Sequence, residues 1–222
     1  MDFLAVYEAM VTCGGTPPFA SRIKEMRHHF EERTGRFGPD DPWFEVRIRA
    51  FWDDALTTQG LATTVASATS GPLRQAILAW TRPLARAHRG LFHAERGEDG
   101  WKLVDRWSGA EFVVGMPDPG LHEALQASAL LDGRVVARDN PMEIALLPGA
   151  LFHPEDATDP IGHVLDAAHE RGMVGGDTLD ALLRMERNLR SHARVKASYA
   201  YRPENLVGTS PRATLRKPFK SP

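Results

Sequence analysis

The chain of 222 residues lacks most of the features that mark secreted and membrane-spanning proteins. It has a single cysteine, Cys13, which excludes an intrachain disulfide and a cysteine-rich zinc site. No apolar run approaches the roughly 18 residues needed to cross a bilayer. The first eight residues carry acids and no basic region, so we expect no signal peptide and a cytoplasmic location.

Sequence signatures of common catalytic and nucleotide-binding sites are also absent. The chain has no G-x-S-x-G elbow, no Walker A loop and no G-x-G-x-x-G turn. The glycines at 172, 175 and 176 lie between two predicted helices, which indicates a helix connection rather than a phosphate-binding loop. We therefore expect no enzymatic activity, no cofactor and no metal.

In the first part of the chain, apolar residues recur with the period of an α-helix. Phe19, Ile23, Met26 and Phe30 recur at the spacing of one helix face, and similar stripes follow the prolines at 42 and 72. The Thr/Ser/Ala-rich residues 57–70 fit either a loop or a weak helix. Residues 1–89 are therefore predicted to form a helical bundle.

Residues 90–150 change to a period of two, which is typical of strands. A helix is predicted at 118–126, between the third strand and the fourth. The predicted strands cover residues 91–95, 101–106, 110–114, 133–138 and 142–147. This order predicts a small OB/SH3-like β-barrel with an inserted helix.

Helical patterns return in residues 151–200, with predicted starts near Asp159 and Asp177. The second of these helices is expected to carry two i,i+4 ion pairs, Asp180–Arg184 and Glu186–Arg190. From residue 201 to 222 the Pro/Ser/Thr/Arg/Lys composition predicts a disordered basic tail. The predicted fold is thus α+β: a helical bundle, a small barrel, C-terminal helices and a tail.

Charge is segregated along the chain. Residues 184–222 contain ten basic and two acidic residues, whereas residues 90–149 contain five basic and ten acidic ones. A basic end of this kind favours an acidic partner, although a solvated helix face with a solubilising tail explains it equally simply. The predicted partner-binding residues are Arg187, Arg190, Arg194, Arg212, Arg216, Lys217 and Lys220.

Two other clusters are weaker candidates. His153, Glu155, Asp156, Asp159 and His163 could form a metal or acid–base site, but their spacing matches no known ligand pattern. The aromatic–acidic segments at 40–45 and 51–54 would form an interface anchor patch if some of Trp43, Trp52 and Phe37 remained exposed. Burial of these aromatics in the bundle core is the simpler interpretation.

Two segments carry a resemblance. FEERTGRFGPDDPWFEVRIRAFWDDAL at 30–56 and HRGLFHAERGEDGWKLVDRWSGAEF at 88–112 resemble uncharacterised proteins of myxobacterial type with a small β-barrel. The resemblance covers roughly residues 16–150 and implies a fold. It carries no catalytic residues.

The sequence therefore predicts a non-enzymatic adaptor or regulatory protein that binds other proteins. The alternative is a nucleic-acid-associated protein acting through residues 184–222. An acidic barrel would repel phosphates, so nucleic acid is expected only at the basic end. Whether the chain forms homo-oligomers is left open, as is an enzyme site near residues 153–163.

Overall fold

The computed structural model describes residues 2–98, 100–115, 122–125, 130–139, 142–192 and 195–206. It is a mixed α and β structure, with helices before and after a curled antiparallel sheet. None of the described helices combines the length and the apolar character needed to cross a membrane.

Five helices precede the sheet. They are α1 (Phe3–Gly14), α2 (Ala20–Thr34), α3 (Phe44–Thr57), α4 (Leu61–Ala68) and α5 (Gly71–Ala85). The carboxylate of Asp2 caps α1 by accepting a hydrogen bond from the Ala5 amide at 2.8 Å. Helix α4 forms in the segment that the sequence left open between loop and helix. Helix α5 ends two residues after Pro83, whose ring disfavours continuation of the helix.

The sheet follows the predicted change of period. Its strands are β1 (His88–Arg96), β2 (Trp101–Asp105), β3 (Glu111–Val114), β4 (Leu130–Asp139), β5 (Met142–Leu146) and β6 (Leu151–Phe152). The order is β3-β2-β1-β4-β5, each pair is antiparallel, and β6 pairs with β4. The five predicted strands are confirmed, although β1 and β4 each begin three residues earlier than predicted and β6 was not predicted.

The sheet curls into a half-barrel. Its terminal strands β3 and β5 approach until Cα atoms lie within 8 Å of each other. Apolar side chains fill the interior of the curl, among them Phe92, Leu103, Leu131 and Val135. The predicted helix at 118–126 lies mostly outside the described residues, of which 122–125 are helical.

The N-terminal helices and the sheet share an apolar core. Phe51 and Trp80 from the helices belong to the same buried cluster as Val136 of β4 and Leu151 of β6. The helices therefore pack on one face of the sheet, because the apolar faces of both must be covered to exclude water.

Three helices follow the sheet: α6 (Thr158–Glu170), α7 (Gly175–Arg190) and α8 (Ala197–Ala200). The first two start one and two residues earlier than predicted. Tyr201 and Leu206 are buried against these helices, so residues 201–206 belong to the packed structure rather than to a tail. Residues 207–222 of the predicted tail lie outside the described residues.

Candidate functional site

Two of the predicted partner-binding residues lie on α7, near its C-terminal end. Arg187 is half-buried, and its Nε donates a hydrogen bond to the Arg36 carbonyl oxygen. Arg190 pairs through Nε with Glu186, as the sequence predicted, and its Nη2 donates to the Phe152 carbonyl oxygen at 3.1 Å. Both guanidinium groups therefore already have hydrogen-bond acceptors within the chain, at the surface for Arg187 and partly buried for Arg190.

Arg190 also covers an aromatic ring. Its Cζ lies 3.8 Å from the centroid of the Trp43 indole, the residue that precedes α3. Trp43 is 38% exposed, which places it among the exposed large apolar side chains of the described residues, although Tyr199, Met142 and Val174 are more exposed. A guanidinium over an indole is the most favourable cation–π pair available to proteins. The pair places one cation and one large apolar surface side by side.

A buried chain of contacts holds this pair in place. Arg47 Nη2 lies 2.9 Å from Glu186 Oε2 and also donates to the Leu183 carbonyl oxygen at 2.6 Å. The side chains of Arg47 and Glu186 are almost fully buried. Glu186 pairs with both Arg47 and Arg190. It therefore fixes the position of the Arg190 guanidinium over the Trp43 ring.

A surface hollow of about 350 Å³ opens beside the pair. We call it the Trp43 groove, and its lining is Trp43, Pro154, Asp156, Leu189, Arg190, His192 and Val195. Val195 is 38% exposed, like Trp43. The groove thus offers apolar contact, one fixed cation and one exposed carboxylate, Asp156.

The other predicted partner-binding residues lie outside the described part of the chain; they are Arg194, Arg212, Arg216, Lys217 and Lys220. Of the predicted aromatic patch, Trp43 is exposed, Trp52 is half-buried and Phe37 is buried. The patch therefore reduces to Trp43, which lies beside Arg190 in space although 147 positions separate them in sequence.

The histidine–carboxylate cluster at 153–163 does not converge. His153 is buried, and its Nδ1 lies 2.8 Å from the hydroxyl of Tyr201, while Glu155, Asp156 and Asp159 are exposed. Burial lowers the pKa of His153, so its ring is neutral at pH 7. No group of three or more metal-ligating side chains is found in the described ranges.

A ring of ion pairs lies between the helices and the sheet. Arginine and aspartate alternate along it in the order Arg134, Asp54, Arg33, Asp180, Arg89 and Asp132. The ring starts on β4, passes through α3, α2, α7 and β1, and closes on β4, which carries both its first member and its last. It therefore ties five elements together, and we call it the charge ring.

Two aspartates of the charge ring each bind two arginines. Asp54 lies 2.7 Å from Arg134 and 2.6 Å from Arg33, and its side chain has no exposed surface. Burial alone would raise the pKa of Asp54, but Arg134 and Arg33 hold it below its ordinary value. Asp180 binds Arg33 and Arg89. These partners lie on other elements, whereas the sequence paired Asp180 with Arg184 on its own helix.

Asp53 is a fourth buried carboxylate beside the charge ring, and within the described ranges no arginine forms an ion pair with it. It accepts hydrogen bonds from the Tyr7 hydroxyl at 2.6 Å and from the Gly149 amide at 2.9 Å. Burial raises the pKa of Asp53 to about 7, and burial with the neighbouring Asp53 raises that of Tyr7. Asp53 is thus half protonated near neutral pH.

These buried charges are visible in the sequence as charged residues inside apolar segments, which an analysis of periodicity alone overlooks. Asp53 and Asp54 follow Phe51 and Trp52 in the middle of an apolar stripe. Asp132 and Arg134 likewise interrupt a strand that is otherwise apolar on both faces, LLDGRVV at 130–136. A charge inside a buried segment requires a partner, because an isolated one is too costly to desolvate.

No protein-family model, curated protein or solved structure matches this chain. Its function is therefore inferred from the geometry of the molecule.

Proposed function

We propose that this protein is a non-enzymatic adaptor or regulator that binds another protein through the Trp43 groove. The observation that carries the proposal is Trp43 itself, 38% exposed and covered on one face by a fixed arginine. Tryptophan and arginine are among the residues most enriched at the positions that dominate the energy of protein interfaces.

Pre-organisation strengthens the case. Arg190 is held by Glu186 and by the Phe152 carbonyl oxygen, and Glu186 is held by Arg47. An interface side chain that is already fixed loses little conformational entropy on binding.

The partner's chemistry follows from the groove and its surroundings. Apolar contact with Trp43 and Val195 suits a leucine or aromatic side chain. Residues 207–222 add four basic residues and no acidic one. We therefore propose an acidic partner segment that carries an apolar anchor, with the basic tail adding electrostatic attraction.

Nucleic acid is the alternative partner, through residues 184–222. Against it, Arg190 donates to the part-buried Phe152 carbonyl oxygen and pairs with the buried Glu186, so this guanidinium is already engaged within the chain. The rest of residues 184–222 would then have to bind the phosphates.

Two finer assignments complete the proposal. The half-barrel is proposed to be an OB/SH3-like barrel, because five antiparallel strands curl until β3 nears β5, with helical residues 122–125 before β4. A cytoplasmic location is proposed from the single cysteine, which is typical of reducing compartments.

The test is a selection of binders from a library of displayed random peptides, with the full chain as bait. We expect the enriched peptides to be acidic and to share one large apolar residue. Trp43→Ala should weaken their binding about thirtyfold, the effect of losing a dominant interface residue. Removal of residues 207–222 should weaken it further and reduce its dependence on salt.

Tyr199→Ala is the matched control. Tyr199 is also an exposed aromatic, and Arg202 covers it with its Cζ 4.6 Å from the ring centroid, but it does not line the groove. Equal losses from Trp43→Ala and Tyr199→Ala would contradict the proposal. Salt-dependent binding of a single-stranded oligonucleotide that disappears without residues 207–222, with no peptide enriched, would favour the alternative.

A further inference from the structure

A second cavity lies on another part of the molecule, between α1 and α3. It has a volume of about 430 Å³. Ligand pockets usually measure about 300–1,000 Å³, so the space suits a small molecule. Neither Trp43 nor Arg190 contributes to it, and it is therefore independent of the Trp43 groove.

The back wall of this cavity is built rigidly. Tyr7 is buried, and its hydroxyl is fixed by Asp53, which also accepts a hydrogen bond from the Gly149 amide. A Cβ at Gly149 would lie 2.5 Å from the Arg49 carbonyl oxygen, so only glycine allows the turn to approach α3 this closely. Pro148 of that turn is thereby held as a wall of the cavity.

The mouth of the cavity carries one charge of each sign. Glu8 comes from α1 and Arg49 from α3, and both side chains are exposed. Among the described residues neither has an ion-pair partner within 4.0 Å. This differs from the charge ring, where every carboxylate and guanidinium is paired.

Apolar side chains line the rest. Leu4, Val11 and Trp52 join Pro148 around the cavity. A neighbouring cavity of about 400 Å³ shares Leu4 and Pro148, and it is lined mainly by apolar residues. An apolar group of a ligand bound at Arg49 would contact Leu4, Val11 and Trp52.

We propose that the cavity between α1 and α3 binds a small zwitterion with an apolar side chain, of the α-amino acid class. Arg49 binds the carboxylate, which its planar guanidinium fits with two parallel hydrogen bonds. Glu8 binds the ammonium group. Trp52 and Leu4 contact the apolar side chain, which favours a large side chain over a methyl group.

The test is calorimetric titration of the full chain with L-phenylalanine. We expect saturable binding, with L-alanine at least about tenfold weaker because less apolar surface is buried. Arg49→Gln and Glu8→Gln should each weaken L-phenylalanine at least about tenfold. Arg74→Gln is the matched control, since Arg74 is exposed on α5 and lines neither cavity.

Two ligand analogues test the contacts of the ammonium group and of the carboxylate one at a time. N-acetyl-L-phenylalanine lacks the ammonium, so its weaker binding should be insensitive to Glu8→Gln and sensitive to Arg49→Gln. L-phenylalaninamide lacks the carboxylate and should show the reverse pattern. No saturable binding of L-phenylalanine up to about 10 mM, or equal binding of the acid and its N-acetyl form, would overturn the proposal.

Discussion

The charge ring and the Trp43 groove both pair arginines with buried carboxylates, but of the two only the groove places a guanidinium beside an exposed aromatic side chain and an open hollow. In the ring every guanidinium lies between two carboxylates or is buried against one, and little of it reaches solvent. In the groove, Arg190 pairs with the buried Glu186 and lies over the Trp43 indole. Both Trp43 and Arg190 line an open hollow.

We propose that this difference distinguishes residues that stabilise the fold from residues that bind a partner. A buried ion pair stabilises little over an apolar replacement, yet losing one member leaves a charge stranded in the interior. Removing the exposed Trp43 indole leaves no charge without a partner in the interior, because Arg190 keeps its ion pair with Glu186. Changes in the charge ring should therefore alter stability, and changes in the groove should alter binding.

The largest effect is expected from Asp54→Asn. The substitution keeps the size of the side chain but leaves Arg134 and Arg33 without the carboxylate that they share. We expect the free energy of unfolding to fall by about 3–5 kcal/mol, measured by urea denaturation. Asp166→Asn, at an exposed position of α6, should change it by less than about 0.5 kcal/mol. Equal effects of Asp54→Asn and Asp166→Asn would show that the charge ring does not contribute to stability.

The second prediction concerns pH and Asp53. Its pKa is about 7 in the folded protein against an ordinary value of 3.8, so between these values the folded chain binds a proton that the unfolded chain has released. Stability should therefore fall as the pH rises from about 4 to 7, by as much as about 4 kcal/mol.

Asp53→Asn removes this titration. The difference in unfolding free energy between wild type and variant, followed by urea denaturation across the same pH range, isolates Asp53 from the opposite contribution of His153. We expect the wild type to lose stability relative to the variant with rising pH. A constant difference between the two would contradict the raised pKa.

A smaller effect is expected at Gly149. A Cβ there would lie 2.6 Å from Asp53 Oδ2 as well as 2.5 Å from the Arg49 carbonyl oxygen. Gly149→Ala should therefore lower the free energy of unfolding by about 1–3 kcal/mol, the usual result of overpacking, as read from thermal unfolding. Gly162→Ala is the counterpart, because nothing lies within 4 Å of its added Cβ inside α6. It should stabilise the protein by about 0.5–1 kcal/mol.

The fold was largely predictable because the spacing of apolar residues along the chain indicates most of its helices and strands. The helical stripe at 19–30, the strands at 91–114 and the helix that carries Glu186 and Arg190 all formed where the spacing placed them. The departures are at boundaries, where packing decides. Tyr201 and Leu206 are buried by α6–α8, although local composition alone placed them in a tail.

The site was predictable only in part, since it depends on residues far apart in the chain. Arg190 was predicted as a partner-binding residue, and Trp43 was named as a conditional anchor, but nothing local places one over the other. The charge ring joins residues from positions 33 to 180 and has no periodic signature. Burial of Asp54 and Asp132 in apolar segments was its only local trace.

The division of roles between ring and groove is tested most directly by the affinity of the selected peptides for the Trp43→Ala protein. We predict binding about thirtyfold weaker, with the free energy of unfolding unchanged within about 1 kcal/mol, because in the proposed division Trp43 contacts the partner and contributes little to the stability of the fold. Unchanged affinity, or a loss of binding that accompanies unfolding of the variant, would contradict this division.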